Sequence, residues 1–462
     1  MSKVSRHPSS FRDPSGFIFN YNRIVYRQVN QSYAGNYKLM KSSGLYERLV
    51  QGGMLIPHTE MSENLTQSAD WYITLLPEQV RFISFPYEWS FDQLKDAALL
   101  TLDVVGEAVN RGMILKDATP FNIQFVNGRP LLIDTLSFEL YDETKPWVAY
   151  RQFIESFISP LLLASYKSIE LIRLLQVYLN GIPLSLTTKI LPFKSRLRLH
   201  VFLHIFLQQA LSAKQNTTPR TSPSFSKQKL VNVVDSLRAL IKPLQLKTVR
   251  TEWNQYYESA MPDKFYLQNK KELAEEWLSE ITGDTLLDIG ANTGAFSVAA
   301  SRYFAYVIAV DADAACVNSF YLDCKMQAYH TILPLCIDIT NPSPAVGWGN
   351  EERSSFLNRY KAEAVLALAV IHHLVIGKNI RLDDIAKLLS ILAEKNLIIE
   401  FVPKTDPRVQ RMLIARTDIF DQYNAIEFER SFDAYFSVVR KKEVGNSGRY
   451  IYLMKNRVNA SS

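Results

Sequence analysis

The stretch TLLDIGANTGAFSVAA (285–300) decides how the C-terminal half of this chain is read. It is a short apolar strand, then the turn Asp288-Ile289-Gly290-Ala291-Asn292-Thr293-Gly294, then a helix start built of small residues. Gly290 and Gly294 permit close backbone approach, the helix N-terminus offers free N–H groups, and Asp288 at the strand end can accept from a cationic or hydroxylated ligand. A turn of this kind also serves plain strand-to-helix packing, so two later acids matter. The next apolar strand, 306–310, ends at Asp311, seventeen residues past Gly294, where a carboxylate reaches both hydroxyls of a ribose. A third strand, around 333–337, ends at Asp338. Strand-like and helix-like segments alternate from Thr285 to the C-terminus, which predicts an α/β domain with a mostly parallel sheet.

Glycines and acids at three consecutive strand ends resemble the S-adenosylmethionine site of class I methyltransferases, and the resemblance covers about residues 250–458. A nicotinamide dehydrogenase is the competing pattern. Asn292 stands where the GxGxxG motif has its middle glycine, and Gly294 comes four residues after Gly290, which fits the methyltransferase loop better. The resemblance implies a seven-stranded, mostly parallel Rossmann-like sheet closed by a C-terminal hairpin, and S-adenosylmethionine as cofactor. It also implies that Asp288 orients the methionine end, that Gly290, Asn292 and Gly294 admit the cofactor to the backbone, that Asp311 holds the ribose and that Asp338 contacts adenine. The fourth strand, 364–370, runs into Ile371-His372-His373-Leu374, whose place in such a fold is beside the transferring methyl group. His372 or His373 is a candidate general base, because imidazole titrates near neutrality. The alternative is that one histidine packs beneath the cofactor and the other caps the following helix. No N/D-P-P-Y/F/W tetrapeptide stands there, which argues against DNA base amino groups as acceptors. Glu400 ends the fifth strand, and Asp406 before Pro407 reads as a helix cap.

The N-terminal half follows another pattern. Short strands are expected at 17–19, 23–29, 71–76 and 81–85, then a helix over 90–110 with apolar residues at Leu94, Ala98, Leu102, Val105 and Val109. After it comes MILKDATPFNIQFVNGRPLLIDTLSFE (113–139). Protein kinases and aminoglycoside-type phosphotransferases follow a helix with Asp-x-x-Pro-x-Asn, a hairpin and a metal-binding Asp. Asp117, Pro120, Asn122 and Asp134 resemble that order. The resemblance implies a kinase-like α+β domain with Asp117 as the catalytic-loop acid and Asn122 and Asp134 as ligands for Mg2+ with a nucleotide. The departures are Lys116 where kinases have Arg or Gly, an Asp-Thr-Leu tripeptide at Asp134, Arg27 near the usual phosphate-binding lysine, and no glycine-rich loop near Phe17. Together with DPSGFIF (13–19), YRQVN (26–30), PYEWSF (86–91) and PWVAYRQF (146–153), the chain resembles bacterial class I methyltransferases grouped with nodulation-type proteins.

Composition bounds these readings. The 462 residues carry 47% apolar and 21% charged side chains, with mean hydropathy near zero, which suits two or three globular domains and excludes a disordered or collagen-like chain. The net charge is 52 − 46 = +6. Its location is informative: 189–250 holds twelve Lys or Arg against Asp235 alone, so this stretch is +11 and the remainder −5. Such a stretch is a candidate for an anionic partner. Within it, SAKQNTTPRTSPSFSKQK (212–229) reads as a linker or mobile loop, dividing a kinase-like domain at 1–211 from a methyltransferase domain at 230–462. Cys316, Cys324 and Cys336 form no CxxC pair, so neither a disulfide framework nor a zinc cluster is expected. No uncharged run reaches bilayer-spanning length and the N-terminus lacks a signal-like apolar segment, so a cytoplasmic protein is expected. The combined expectation is methyl transfer to an acceptor the residues do not name, with the N-terminal domain recruiting or also modifying the substrate; the alternatives are a non-catalytic adaptor and a bifunctional methyltransferase/phosphotransferase.

Overall fold

The computed structural model describes residues 4–213, 226–246, 264–414 and 417–457. They fall into two compact units, one of 1–248 with 345–354 and one of 249–344 with 355–462. Most of the expected 212–229 linker lies outside the described residues. The boundary differs from the expected 230. The helix Lys227–Ile241 packs on the helix Phe91–Asn110, with Arg238 bonded to Asp103 and to the Leu102 carbonyl, and so belongs to the first unit. Its buried Leu230, Val234, Leu237 and Ile241 are apolar at helical spacing, but spacing does not say which neighbour they face.

In the first unit a five-stranded antiparallel sheet has the order β1-β2-β3-β5-β4, from Ser5–Arg6 (β1), Gly16–Tyr21 (β2), Ile24–Asn30 (β3), His58–Met61 (β4) and Trp71–Pro77 (β5). The β2–β3 turn is Asn22-Arg23, both at positive φ (53° and 65°), a two-residue hairpin with no glycine. The expected strand at 81–85 does not form. Its backbone donors are held by side chains instead: Ser84 N–H by Gln124 Oε1 at 2.8 Å and Phe85 N–H by Glu88 Oε2 at 2.8 Å. The helix Phe91–Asn110 buries all five of its expected apolar positions and is followed by Gly112 at φ 75°. Then come Met113–Leu115 (β6), the hairpin Ile123–Val126 (β7) with Arg129–Leu132 (β8), Phe138–Leu140 (β9) paired to β6, and a helical remainder over 150–213.

The second unit holds a seven-stranded sheet of order β12-β11-β10-β13-β14-β16-β15. Its strands are Thr285–Ile289 (β10), Tyr306–Asp311 (β11), Ile332–Cys336 (β12), Ala362–Ala367 (β13), Ala393–Phe401 (β14), Phe436–Glu443 (β15) and Tyr450–Asn456 (β16). The first five are mutually parallel, and the β15–β16 hairpin adds antiparallel to β14. This is the expected Rossmann-like architecture. The parallel strands are nearly continuous apolar runs because both faces are covered. Pro334 has no N–H to donate, and it lies in β12, an edge strand, where that loss is tolerated. The three cysteines are buried and unpaired to one another.

Between β10 and the helix Ala295–Ala300, Gly294 has φ 82°, and a Cβ placed on it would lie 2.0 Å from the Phe320 ring. Left-handed strain and overpacking against a buried ring therefore add, and Gly294→Ala should lower stability by about 2–4 kcal/mol. Urea denaturation checks this; an unchanged midpoint would show that Phe320 moves aside without cost.

Candidate functional site

Parallel strands aligned side by side place their C-terminal ends in one row, so residues far apart in sequence share a crevice. Here the ends of β10, β11, β12 and β13 surround a cavity of about 360 Å3. Asp288, Gly290, Asn292, Asp311, Asp338 and His373 all line it. Gly294 does not; it is the pivot that starts the helix Ala295–Ala300 behind the turn.

The turn is held by the neighbouring strand. Gly290 and Ala291 donate their N–H groups to the Val310 carbonyl at 2.9 and 3.1 Å, and Asn292 N–H donates to Asp311 Oδ2 at 2.7 Å. The other Asp311 oxygen accepts Asp313 N–H at 2.8 Å. Asn292 adopts φ 52°, a left-handed conformation that asparagine tolerates, and its own Oδ1 accepts Thr293 N–H at 2.8 Å. A Cβ on Gly290 would lie 2.6 Å from Val370 Cγ2, so glycine lets the turn close against the loop after β13. Asp338 Oδ1 accepts the Thr340 N–H and hydroxyl at 2.9 and 2.7 Å.

Asp288 is buried and accepts the Ser297 hydroxyl at 2.6 Å. Burial raises its pKa to about 7, with the Ser297 bond opposing. Burial raises Asp311 as well, against the two N–H bonds. Two carboxylates that resist ionisation beside one cavity make it favourable to a cation or to hydroxyl donors.

The two histidines have different places. His372 is fully buried, does not line the cavity, and neither ring nitrogen has a hydrogen-bond partner among the described residues. His373 lines the cavity, its ring centroid 4.1 Å from that of His372. Burial, with the Arg408 charge added, lowers the His373 pKa to about 4, so its ring is neutral at physiological pH.

Sequence reasoning missed Lys270, which lines the cavity from the helix Lys264–Glu280. Its ammonium donates to Glu400 Oε2 at 2.5 Å; Tyr266 donates to the other oxygen, and Arg449 donates to Asp406 Oδ2 at 2.7 Å and to Tyr266 Oη at 3.1 Å. Burial alone would neutralise Glu400, but Lys270 and Arg449 outweigh it and hold the carboxyl ionised. The available signal was position: Lys270 shares the helix face of Tyr266, Leu273, Ala274 and Trp277, all buried. Asp406 does both jobs, accepting Arg408 N–H at 2.9 Å as a cap and pairing with Arg449.

In the first unit Asp117, Asn122 and Asp134 converge. Ser137 Oγ links the last two, donating to Asp134 Oδ2 at 2.5 Å and accepting Asn122 Nδ2 at 3.3 Å. Asp117 accepts Gln152 Nε2 at 2.7 Å, and burial followed by the Asp134 charge raises its pKa. Asp134 Oδ1 accepts Arg27 and the Leu136 N–H. Burial pushes Asp134 up, but Arg27, Ser137 and Leu136 outweigh it and hold it low. Among the described residues no group of three or more His, Cys, Asp or Glu is placed to hold a metal. With Arg27 on Asp134, these side chains do not fit a resident Mg2+.

Strand order, glycine turn and strand-end acids together define a class I S-adenosylmethionine-dependent methyltransferase domain. The chain belongs to the family of the nodulation protein NoeA of Rhizobium meliloti (strain 1021), with which it is 32% identical over 461 residues, 97% of this chain and 96% of that protein. No family model matches. Among solved structures it is similar to magnesium protoporphyrin IX methyltransferase ChlM from Synechocystis PCC 6803 (16% identity, 44% of this chain and 92% of that one, TM-score 0.32). It is also similar to the N-methyltransferase NodS from Bradyrhizobium japonicum WM9 (12% identity, 42% and 99%, TM-score 0.31).

The raised Asp288 pKa has a sign that can be tested. The folded state keeps a proton that the unfolded chain releases near pH 4, so this contribution to stability is full below about pH 4 and is lost as pH rises to about 7. Asp288→Asn should stabilise the ligand-free protein by about 2–4 kcal/mol at pH 8 and by less than half of that at pH 5. Urea midpoints at the two pH values decide it, and an equal gain at both would contradict the burial argument.

Proposed function

We propose that this chain transfers a methyl group from S-adenosylmethionine to an acceptor bound beside His373, as a cytoplasmic enzyme. What carries the proposal is the clamp of the Asn292 N–H on Asp311 at the mouth of a cavity bordered by three strand-end carboxylates. The donor set suits the cofactor: buried acids for its cationic end and ribose hydroxyls, and a glycine turn that a side chain would fill. In this proposal Asp311 holds the ribose, Asp338 meets the adenine, Asp288 steadies the methionine end through the turn, and Gly290, Asn292 and Gly294 shape the backbone cradle. When bound, the cofactor supplies a methyl group on a sulfonium, open to direct displacement. The protein positions the acceptor and excludes water, which accounts for most of the rate in such a transfer. His373, neutral and on the cavity wall, takes the acceptor proton; His372 supports its ring from beneath.

Removing the Asp311 carboxylate should weaken S-adenosylhomocysteine binding about tenfold to a hundredfold, read by calorimetry on folded Asp311→Ala. His373→Ala should keep that affinity while slowing label transfer from methyl-labelled cofactor into a cell extract by about 10² to 10⁴. Because the His373 pKa is about 4, the wild-type rate should be flat from pH 6 to 8. A rate that instead breaks near 6.5 would contradict the lowered pKa, and a break that persists unchanged in His373→Ala would remove His373 as the base.

We further propose that the first unit is a kinase-like ligand-binding domain that recruits substrate. The meeting of Asn122 and Asp134 on Ser137, with Asp117 bonded to Asn122, supports it, and the Arg27 guanidinium supplies the positive charge at Asp134. A nucleotide should then raise the melting temperature equally with and without Mg2+. A shift that requires Mg2+ would favour phosphoryl transfer, and no shift at all would remove the nucleotide from this proposal.

A further inference from the structure

Between Glu170 and Asp235 the sequence has no acidic residue over 171–234, while nine Lys or Arg occur there. Most of that stretch is described, and its surface is unusual at 193–202. Phe193, Leu197, Leu199 and Phe202 are 72%, 78%, 65% and 43% exposed. Between them Lys194, Arg196 and Arg198 are also exposed, and Lys189 lies just before. The segment is anchored from below: Leu191, Ser195 and Val201 are buried, and His200 Nδ1 bonds the Ser236 hydroxyl at 2.9 Å. Its outward residues are therefore an apolar and cationic fringe held in place. Arg196 stacks over Phe193 and Phe206, 5.6 and 4.7 Å from the ring centroids, so its methylenes and ring neighbours add to the apolar side. No ion pair joins these four cations to an acid among the described residues.

Large apolar side chains left in water at this density mark an interaction surface. Nucleic acid would use the cations but not the leucines. An anionic bilayer uses both: the phosphate headgroups take the Lys and Arg, and Phe and Leu enter the headgroup and acyl boundary. No described helix is long and apolar enough to cross a membrane, so the contact would be with one leaflet. We infer that the segment 189–202 docks the chain on an anionic membrane surface.

The test is sedimentation of the full chain with vesicles of phosphatidylcholine alone and of phosphatidylcholine mixed with phosphatidylglycerol in equal parts. Binding should be confined to the mixed vesicles and weaken as salt rises. Arg196→Ser with Arg198→Ser should reduce partitioning by about fivefold per cation, roughly 25-fold together. Leu197→Ser with Leu199→Ser, at positions whose exposure leaves the fold intact, should reduce it by about tenfold or more while the salt dependence remains. Equal binding to both vesicle types, or partitioning indifferent to all four substitutions, would overturn the inference. So would a dimer in light scattering that the two leucine substitutions dissolve, since the surface would then belong to a second copy.

Discussion

The hydrogen bond from the Asn292 N–H to the Asp311 carboxylate organises the site of the second unit. It ties the first glycine turn to the end of the neighbouring strand, and the paired N–H groups of Gly290 and Ala291 on Val310 repeat that tie on the backbone. A carboxylate so held keeps one geometry, and a cradle of backbone atoms cannot drift from the acid beside it. Pre-organisation of this kind lets positioning replace chemistry, because orientation of two reactants is worth several kcal/mol of barrier. The cost is a left-handed Asn292 and two glycines that admit no side chain.

Beneath the cavity lies a second constraint of a different kind. Lys270, Arg449, Glu400 and Asp406 are nearly or fully buried, two cations against two anions, with Tyr266 bonded into the same network. Burying any one of these charges alone would cost several kcal/mol, so the four stand or fall together. Asp288 is hydrogen-bonded to a neutral hydroxyl and feels Lys270 only as the least of the influences on it, with the Asp311 charge opposing, which is why its carboxyl resists ionisation while Glu400 does not. Burial is similar for both; the difference is the partner.

The first unit places its acids by another route. A loop after a helix and the end of a hairpin meet because Ile133 N–H bonds the Asn122 carbonyl and Ser137 spans the gap. The unit also includes 345–354, a segment whose flanking residues belong to the second unit. Within it Glu352 pairs with Arg12 at 3.1 Å, and Arg353 stands 4.7 Å over the Phe121 ring, next to Asn122. Folding of the first unit thus takes in residues from late in the chain.

Much of the methyltransferase domain was legible from the chain alone, because the relevant patterns are local. Apolar runs of strand length, a glycine turn and an acid at each strand end are set by residues within a few positions of one another, and parallel strands then align those ends without further instruction. The spacing of Asp117, Asn122 and Asp134 was legible for the same reason. What only the tertiary structure decided involves partners distant in sequence. Which of two adjacent histidines faces the cavity, whether Leu230–Ile241 packs on the first unit or the second, and whether 81–85 pairs as a strand or gives its N–H groups to Gln124 and Glu88 are choices between environments of equal local merit. Lys270 is the sharpest case: a lysine on a helix is ordinarily solvated, and only Glu400, brought from a strand 130 residues later, makes a buried ammonium the better state.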